Sequence, residues 1–390
     1  MAGLAKARLN MVKYQTDMYP DISIWLSIAF VIGGLAALAW SANMFVDGAS
    51  ALAKAFGVSR FIIGMVIIGF GTSAPELCVS ALSGATGHSN LSLGNAYGSC
   101  VFNIAVILGV AALIRPLLVK PSVVFAAVPA LIGIALLSCL LVAAGGGFSR
   151  IDGVVLLAVF GVLMPLYCWF DQSQVRGKET KDEVDATPAM PLWKAWLLLL
   201  VGLALLVGSS HVLVWGCVDL ARVMGVSELL IGLTVVALGT SLPELASAIA
   251  SARKGEHEFV LGNIVGSNFF NTLAVVGLAG VISPFKDVSP YILTRDLPVM
   301  LFVTLLIAVF GLNFRKPREA KTIGRLSGAA WLVLFAAYLG LMLLQETRGD
   351  VCLTPRFGTE RVPDGVSCRL EVPGSEPVTL RPGEFSKMFK

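Results

Sequence analysis

Gly71-Thr72-Ser73-Ala74-Pro75-Glu76 recurs 168 positions later as Gly239-Thr240-Ser241-Leu242-Pro243-Glu244, each copy inside an apolar segment long enough to cross a membrane. A glutamate at that depth is costly and marks an ion or proton pathway. Pro75 and Pro243 each remove a backbone donor and crowd the preceding turn, so each helix should break there. Two hydroxyls, a carboxylate and freed carbonyls then collect on one short piece of chain. These are hard oxygen donors of the kind that hold Ca²⁺.

The surrounding composition fits that reading. Hydrophobic residues make up 56% of the 390-residue chain, charged residues only 14%, and the mean hydropathy is +0.82. Long apolar runs define a helical integral membrane protein with no soluble core of ordinary make-up. Five cysteines, Cys78, Cys100, Cys139, Cys168 and Cys217, lie in or beside apolar segments without metal-type spacing and read as packing residues. Cys352 and Cys368 share a polar tail and could pair in an oxidising compartment.

Residues 1–20 form a leader without apolar period. Ten spans follow, near 25–46, 61–83, 91–114, 123–144, 151–170, 192–214, 229–252, 259–282, 297–313 and 326–344. The stretch 171–191 is the one strongly polar internal connection and reads as a cytoplasmic linker. It separates a first five-helix repeat, 21–170, from a second, 192–345; the polar tail covers 346–390. The repeat register holds without a gap from Gly57 to Pro116, with roughly two residues in five identical to the segment Gly225 to Pro284. Gly94-Asn95 meets Gly262-Asn263, Ser99 meets Ser267, and Asn103 meets Asn271. Trp25 and Trp193 extend the match to the first and sixth spans.

An odd number of spans per half turns the second half over in the membrane. With the N-terminus outside, the inner loops carry Lys54, Arg60, Arg115, Lys120, Arg176, Lys178, Lys181, Lys194, Arg253, Lys254 and the cluster from Arg315 to Arg325. The outer connections carry Arg150, Arg222, Lys286 and Arg295. The positive-inside rule therefore places both termini outside, with the basic leader as the dissenting piece. Inverted repeats with broken helices at the midplane are the architecture of alternating-access transporters.

Helical spacing puts Thr72 and Ser73 near the face of Glu76, and Ser99 near Asn103 on the next helix. The second half supplies Thr240, Ser241, Glu244, Ser267 and Asn271. Polar side chains also glue membrane helices together, but duplication of both motifs favours a shared cation site. Asp47 reads as interfacial, and His211 as a packing residue in the sixth span. Asn95 and Asn263, each following a glycine, read as helix caps. Phosphate loops, nucleophile–base pairs and Cys/His metal clusters are missing from the sequence, so neither ATP-driven transport nor an enzyme has support.

Gly-Thr-Ser-x-Pro-Glu-Leu followed by Gly-Asn-x-x-Gly-Ser-x-x-Phe-Asn, in both halves, resembles the paired alpha-repeats of the sodium/calcium exchangers within the calcium/cation antiporter superfamily. The likeness covers about 20–345 and is nearest to prokaryotic members, which lack a large regulatory loop. It implies an all-α membrane protein of ten helices, arranged as two inverted five-helix repeats, that exchanges Ca²⁺ for Na⁺ across the cell membrane. By the same resemblance, Glu76 and Glu244 bind both ions in turn. Thr72, Ser73, Ser99, Thr240, Ser241 and Ser267 lend oxygens, Gly69 and Ala237 lend carbonyls, and the first and sixth helices form a sliding gate. Some members carry an aspartate where Asn271 stands, so this site has two formal carboxylates. A Ca²⁺/H⁺ antiporter on the same fold is the nearest rival and a passive cation channel a remote one. Expected contacts are lipid, Ca²⁺ and Na⁺; a cofactor, nucleic acid or obligate protein partner is not expected. The tail could be disordered or a small strand-rich appendage.

Overall fold

The computed structural model describes residues 24–85, 89–145, 147–175, 190–224, 237–285, 288–313, 315–316, 319–347 and three short tail segments. The leader, most of the 171–191 connection, residues 225–236 and Cys352 lie outside the described residues. The chain divides into two compact units, Asp21–Ala336 and a smaller one containing Ala337–Lys390.

The first unit is helical. α1 (Ile24–Phe56) leads to α2 (Arg60–Ile63), a π turn (Gly64–Ile68) and α3 (Gly69–Thr72), after which α4 (Ala74–Ala85) sets off at a 46° bend. α5 (Ser89–Phe102), a π turn (Asn103–Leu108) and α6 (Gly109–Ile114) make the next span, ending at strand β1 (Leu117–Val119). A π turn (Val123–Ala127) opens α7 (Val128–Gly145), and α8 (Arg150–Val175) closes the first half. The second half comprises α9 (Leu192–Val223), α10 (Ala237–Thr240), α11 (Leu242–Lys254) and α12 (His257–Phe269). A π turn (Phe270–Val275) and α13 (Val276–Ile282) complete that last span. Then come a π turn (Ile292–Asp296), α14 (Leu297–Gly311), β2 (Lys321–Ile323) and α15 (Arg325–Thr347). Among the described residues eight helices are long and apolar enough to cross a membrane, nine if the bent pair around Ser73 counts as one. Of the span expected at 229–252, residues 229–236 lie outside the described residues, and α10 and α11 are its described part.

Two boundaries differ from the sequence reading. α1 and α9 run 33 and 32 residues, well past the expected ends at 46 and 214. At 1.5 Å per residue α1 is about 50 Å long, more than a bilayer core of about 30 Å, and a helix of that length tilts. Asp47 does not stop α1: its side chain is exposed and pairs with Lys254 Nζ at 2.7 Å. The start of α12 is held by Arg60–Glu256 at 2.9 Å and by Lys120–Glu258.

The α1–α9 pair is built on glycine. A Cβ on Gly34 would press on Leu213, and one on Gly202 would press on Phe45. Likewise Gly48 abuts Ala195 and Leu199, while Gly216 abuts Ser27 and Val31. Every one of these residues has its contact's mate 168 positions away, so the contact obeys the repeat. Ser41 and Ser209, midway between the glycines, each donate to a carbonyl of their own helix, Leu38 O and Leu206 O, both at 3.1 Å.

The helical body also carries two short extended clasps. β1 pairs antiparallel with β2, Leu117 opposite Ile323. Its repeat counterpart is a single bridge, Phe148 to Phe285, closed by two backbone hydrogen bonds of 2.6 and 2.7 Å. Each clasp joins one half to the other, and next to each a glycine pair brings helices close: Gly109 with Gly328, and Gly277 with Gly153. In the second unit the tail forms an antiparallel meander, β3 (Phe357–Val362), β4 (Gly365–Leu370) and β5 (Val378–Leu380). This decides between the two sequence readings of the tail in favour of strands.

Candidate ion-binding site

Both broken helices place a glutamate in the first turn after the break. Ser73 and Ser241 sit at the breaks with φ/ψ of −82°/4° and −93°/8°, off the helical values, and Pro75 and Pro243 follow two residues on. Glu76 and Glu244 are then near the positive ends of α4 and α11, which partly offsets the cost of burying a carboxylate. Both side chains are buried, as are Thr72, Ser73, Ser99, Asn103, Ser241, Ser267 and Asn271. Thr240 is half-buried at the end of α10.

The hydroxyls do not serve the glutamate of their own repeat, as the three- and four-residue spacing suggested. Ser73 Oγ donates to Glu244 Oε1 at 3.1 Å, and Ser241 Oγ donates to Glu76 Oε1 at 2.9 Å. The break at each serine turns its side chain away from its own helix and across the junction between halves. Ser241 Oγ also lies 3.3 Å from Ser99 Oγ. Thr72 Oγ1 donates to Ile68 O at 2.9 Å and lies 3.3 Å from Asn263 Oδ1.

The second oxygen of each glutamate, Oε2, is buried without a hydrogen-bond partner. So are Asn103 Oδ1, Ser267 Oγ and both polar atoms of Asn271. Orphaned buried acceptors are rare because each costs about 1–3 kcal/mol. Apart from Asn271 Nδ2, which is a donor, they form a set of hard oxygens on the two repeat motifs with no hydrogen-bond partner. Gly69 lies against the Gly266–Ser267 backbone, which brings its segment to Ser267; its carbonyl accepts from Ser73 N at 3.1 Å. In the other half Ser241 N goes instead to Leu238 O, one residue beyond Ala237. Among the described residues no group of three or more His, Cys, Asp or Glu is placed to hold a metal ion; the donors gathered here are mainly hydroxyl, amide and carboxylate oxygens.

π turns mark the same spans. They begin at Asn103 and at Phe270, next to Asn271, and a third ends at Ile68, just before Gly69. Such turns leave helices irregular where side chains must be re-aimed.

Several placements correct the sequence reading. Asn95 and Asn263 are not caps: they lie inside α5 and α12, which start several residues earlier, at Ser89 and His257. Their amides reach the neighbouring helix, to Glu76 O and Glu244 O. His211 is on an exposed face rather than packed between helices. Cys78 is exposed, whereas Cys100 is buried, with its sulfur 3.5 Å from Thr272 Oγ1. The sequence reading missed Asn268, whose Oδ1 accepts from Asn103 Nδ2 at 3.2 Å. It also missed Ser210 of α9, which donates to Gly239 O at 3.0 Å and ties the sixth helix to the second motif. Asn268 occupies the repeat position held by Cys100 in the first half, so comparing the halves could have singled it out.

A body of membrane-length helices around a buried, oxygen-lined cluster of this kind defines an integral membrane ion transporter. The chain belongs to the sodium/calcium exchanger family, whose model, described as "Sodium/calcium exchanger protein", matches residues 26–169 and 194–344. It is 36% identical over 320 residues to the inner membrane protein YrbG of Escherichia coli (strain K12), covering 80% of this chain and 96% of that one. It is 27% identical to the sodium/calcium exchanger MaX1 of Methanosarcina acetivorans, covering 74% and 91%. Its fold matches a structure of the sodium-calcium exchanger NCX_Mj soaked with Na⁺ and Sr²⁺. That match has a TM-score of 0.69 and 28% identity, and covers 82% of this chain and 99% of the other. The regions matched by the family model stop short of the 346–390 tail.

Proposed function

We propose that this protein is a secondary antiporter that expels Ca²⁺ in exchange for Na⁺ by alternating access. In this reading the body has ten spans in two inverted five-helix repeats, 21–170 and 192–345, with both termini outside. The 1–20 leader, the 171–191 linker and the 346–390 tail stand apart from the transport body. Glu76 and Glu244 carry the competing ions. Thr72, Ser73, Ser99, Asn103, Thr240, Ser241, Ser267 and Asn271, with the carbonyls of Gly69 and Ala237, complete the shells. Pro75 and Pro243 keep the helices broken. The observation that carries the reading is the reciprocal pairing: each glutamate has one oxygen bound by the other repeat's serine and the other oxygen buried and unused. A cation supplies the missing partner to both carboxylates at once.

The test is ⁴⁵Ca²⁺ uptake into proteoliposomes loaded with Na⁺ and diluted into choline. Uptake driven by the Na⁺ gradient is the expected result. Uptake that responds only to an imposed pH gradient would replace Na⁺ by H⁺ as the counter-ion, with the same glutamates as carriers. A channel cannot accumulate Ca²⁺ uphill under either gradient.

Asn271 favours a particular stoichiometry. With two carboxylates, one Ca²⁺ or two monovalent ions leave the buried site neutral, and charge left over in such a site is costly. The exchange is therefore expected to be electroneutral: Na⁺-driven Ca²⁺ uptake runs at the same rate at zero and at imposed membrane potentials. A current accompanying that uptake would overturn this stoichiometry without touching the exchange itself.

A further inference from the structure

The amides of Asn95 and Asn263 occupy the same place in each repeat and do the same thing. Asn95 Nδ2 donates to Glu76 O at 3.3 Å and to Ser80 Oγ at 3.0 Å. Asn263 Nδ2 donates to Glu244 O at 3.4 Å and to Ser247 Oγ at 3.1 Å. Each therefore grips the main chain of the glutamate rather than its carboxylate, from the helix packed alongside. The hydroxyls they use are not repeat mates: position 248, the mate of Ser80, is Ala, and position 79, the mate of Ser247, is Val. The shared element is the bond to the glutamate carbonyl.

Asn263 does more. Its Oδ1 lies 3.3 Å from Thr72 Oγ1, and the next residue, Ser73, donates to Glu244 Oε1. Thr72, Ser73, Glu244 and Asn263 thus close a ring through both halves: covalent between Thr72 and Ser73, hydrogen-bonded at the other links, with the one Thr72 hydroxyl proton shared between Asn263 Oδ1 and Ile68 O. Asn263 is 2% exposed, so water does not compete for these groups.

The first turn after a helix break has no preceding turn to hold it. A glutamate there points where its main chain is anchored, and a displacement of about 1 Å is enough to spoil a built site. We infer that Asn95 and Asn263 are positioning residues: they fix Glu76 and Glu244 through their carbonyls, and Asn263 also locks the second glutamate to Thr72 of the other repeat. This assignment rests on the ion site proposed above and adds to it two residues that touch no ion.

The experiment uses the full chain as wild type and Asn263→Ala, with two readouts. In proteoliposomes, Asn263→Ala is expected to raise the KM for Ca²⁺ about tenfold, roughly the effect of one lost buried hydrogen bond, while the maximal rate stays within about threefold. In detergent, the rise in melting temperature produced by added Ca²⁺ should shrink, whatever happens to the melting temperature without Ca²⁺. A residue that only packs helices would lower the latter and leave the Ca²⁺-dependent rise and the KM alone; that result overturns the assignment. If Asn263→Ala does not fold, Asn95→Ala carries the same prediction at Glu76. Wild-type protein that neither transports Ca²⁺ nor is stabilised by it overturns the ion site itself, and the assignment with it.

Discussion

Proteoliposomes carrying Glu76→Gln or Glu244→Gln are expected to take up no ⁴⁵Ca²⁺ above protein-free liposomes under a Na⁺ gradient, with the variants still folded. Glutamine keeps the volume and an acceptor oxygen, so Ser241 or Ser73 can still donate across the junction. It removes one of two charges from a buried site and can turn an amide N–H towards the cation. Breaking a buried charge pairing costs about 3–5 kcal/mol, which corresponds to more than 100-fold in binding. Stability without Ca²⁺ should move the other way. Two carboxylates in one buried cluster repel each other and lack partners for Oε2, so neutralising either is expected to raise the melting temperature of the ion-free protein. A variant that lost uptake together with its fold would leave the loss explained by unfolding and count against the charge argument.

Gly266→Ala is expected to be the most damaging single methyl in the described body. Its Cβ would fall 2.1 Å from Met65 O and 2.7 Å from the carbonyl carbon of the same residue. Gly262, one turn earlier, would meet Phe61 O at 2.3 Å. These are main-chain atoms of α2 and of the π turn that leads to Gly69, so no side-chain rotation relieves the clash. Overpacking typically costs about 1–3 kcal/mol and here should reach or pass the top of that range. For a chain of this size that lowers the melting temperature by roughly 4 °C. Gly33→Ala, whose added Cβ meets nothing within 4 Å, is the control and should melt with wild type or slightly above it. Equal losses for both variants would show that helix propensity, not backbone approach, governs these glycines.

The motif, the repeat and the identity of the buried polar residues could be read from the chain, because each is a matter of residue type at fixed spacing. What the two motifs do to one another could not. Spacing along a helix places Ser73 beside Glu76, but the break at Ser73 sends that hydroxyl to Glu244, a residue 171 positions away. Asn95 and Asn263 resembled caps because a glycine precedes them; α5 and α12 begin earlier, at Ser89 and His257, so both asparagines fall inside a helix. Asp47 looked like the end of a span because a charge in lipid is costly, yet it lies on an exposed side of α1, meets Lys254, and the helix continues to Phe56. The short β1–β2 clasp had no sequence signature, since three apolar residues beside a proline fit a loop equally well.

The α1–α9 contact has one more consequence. A patch in which Gly34 takes Leu213 while Gly202 takes Phe45 is isologous: each helix presents to the other the surface it receives. That is the relation between the subunits of a twofold dimer, here realised between two halves of a single chain. A second copy of α1 in the place of α9 would present Phe45 to Gly34 where Leu213 now stands, so the matched glycines carry the complementarity, and joining both halves in one chain makes the encounter intramolecular, raising the effective concentration of one half about the other. Freed from the need to remain identical, the halves could diverge wherever this surface was spared, as at Cys100 and Asn268.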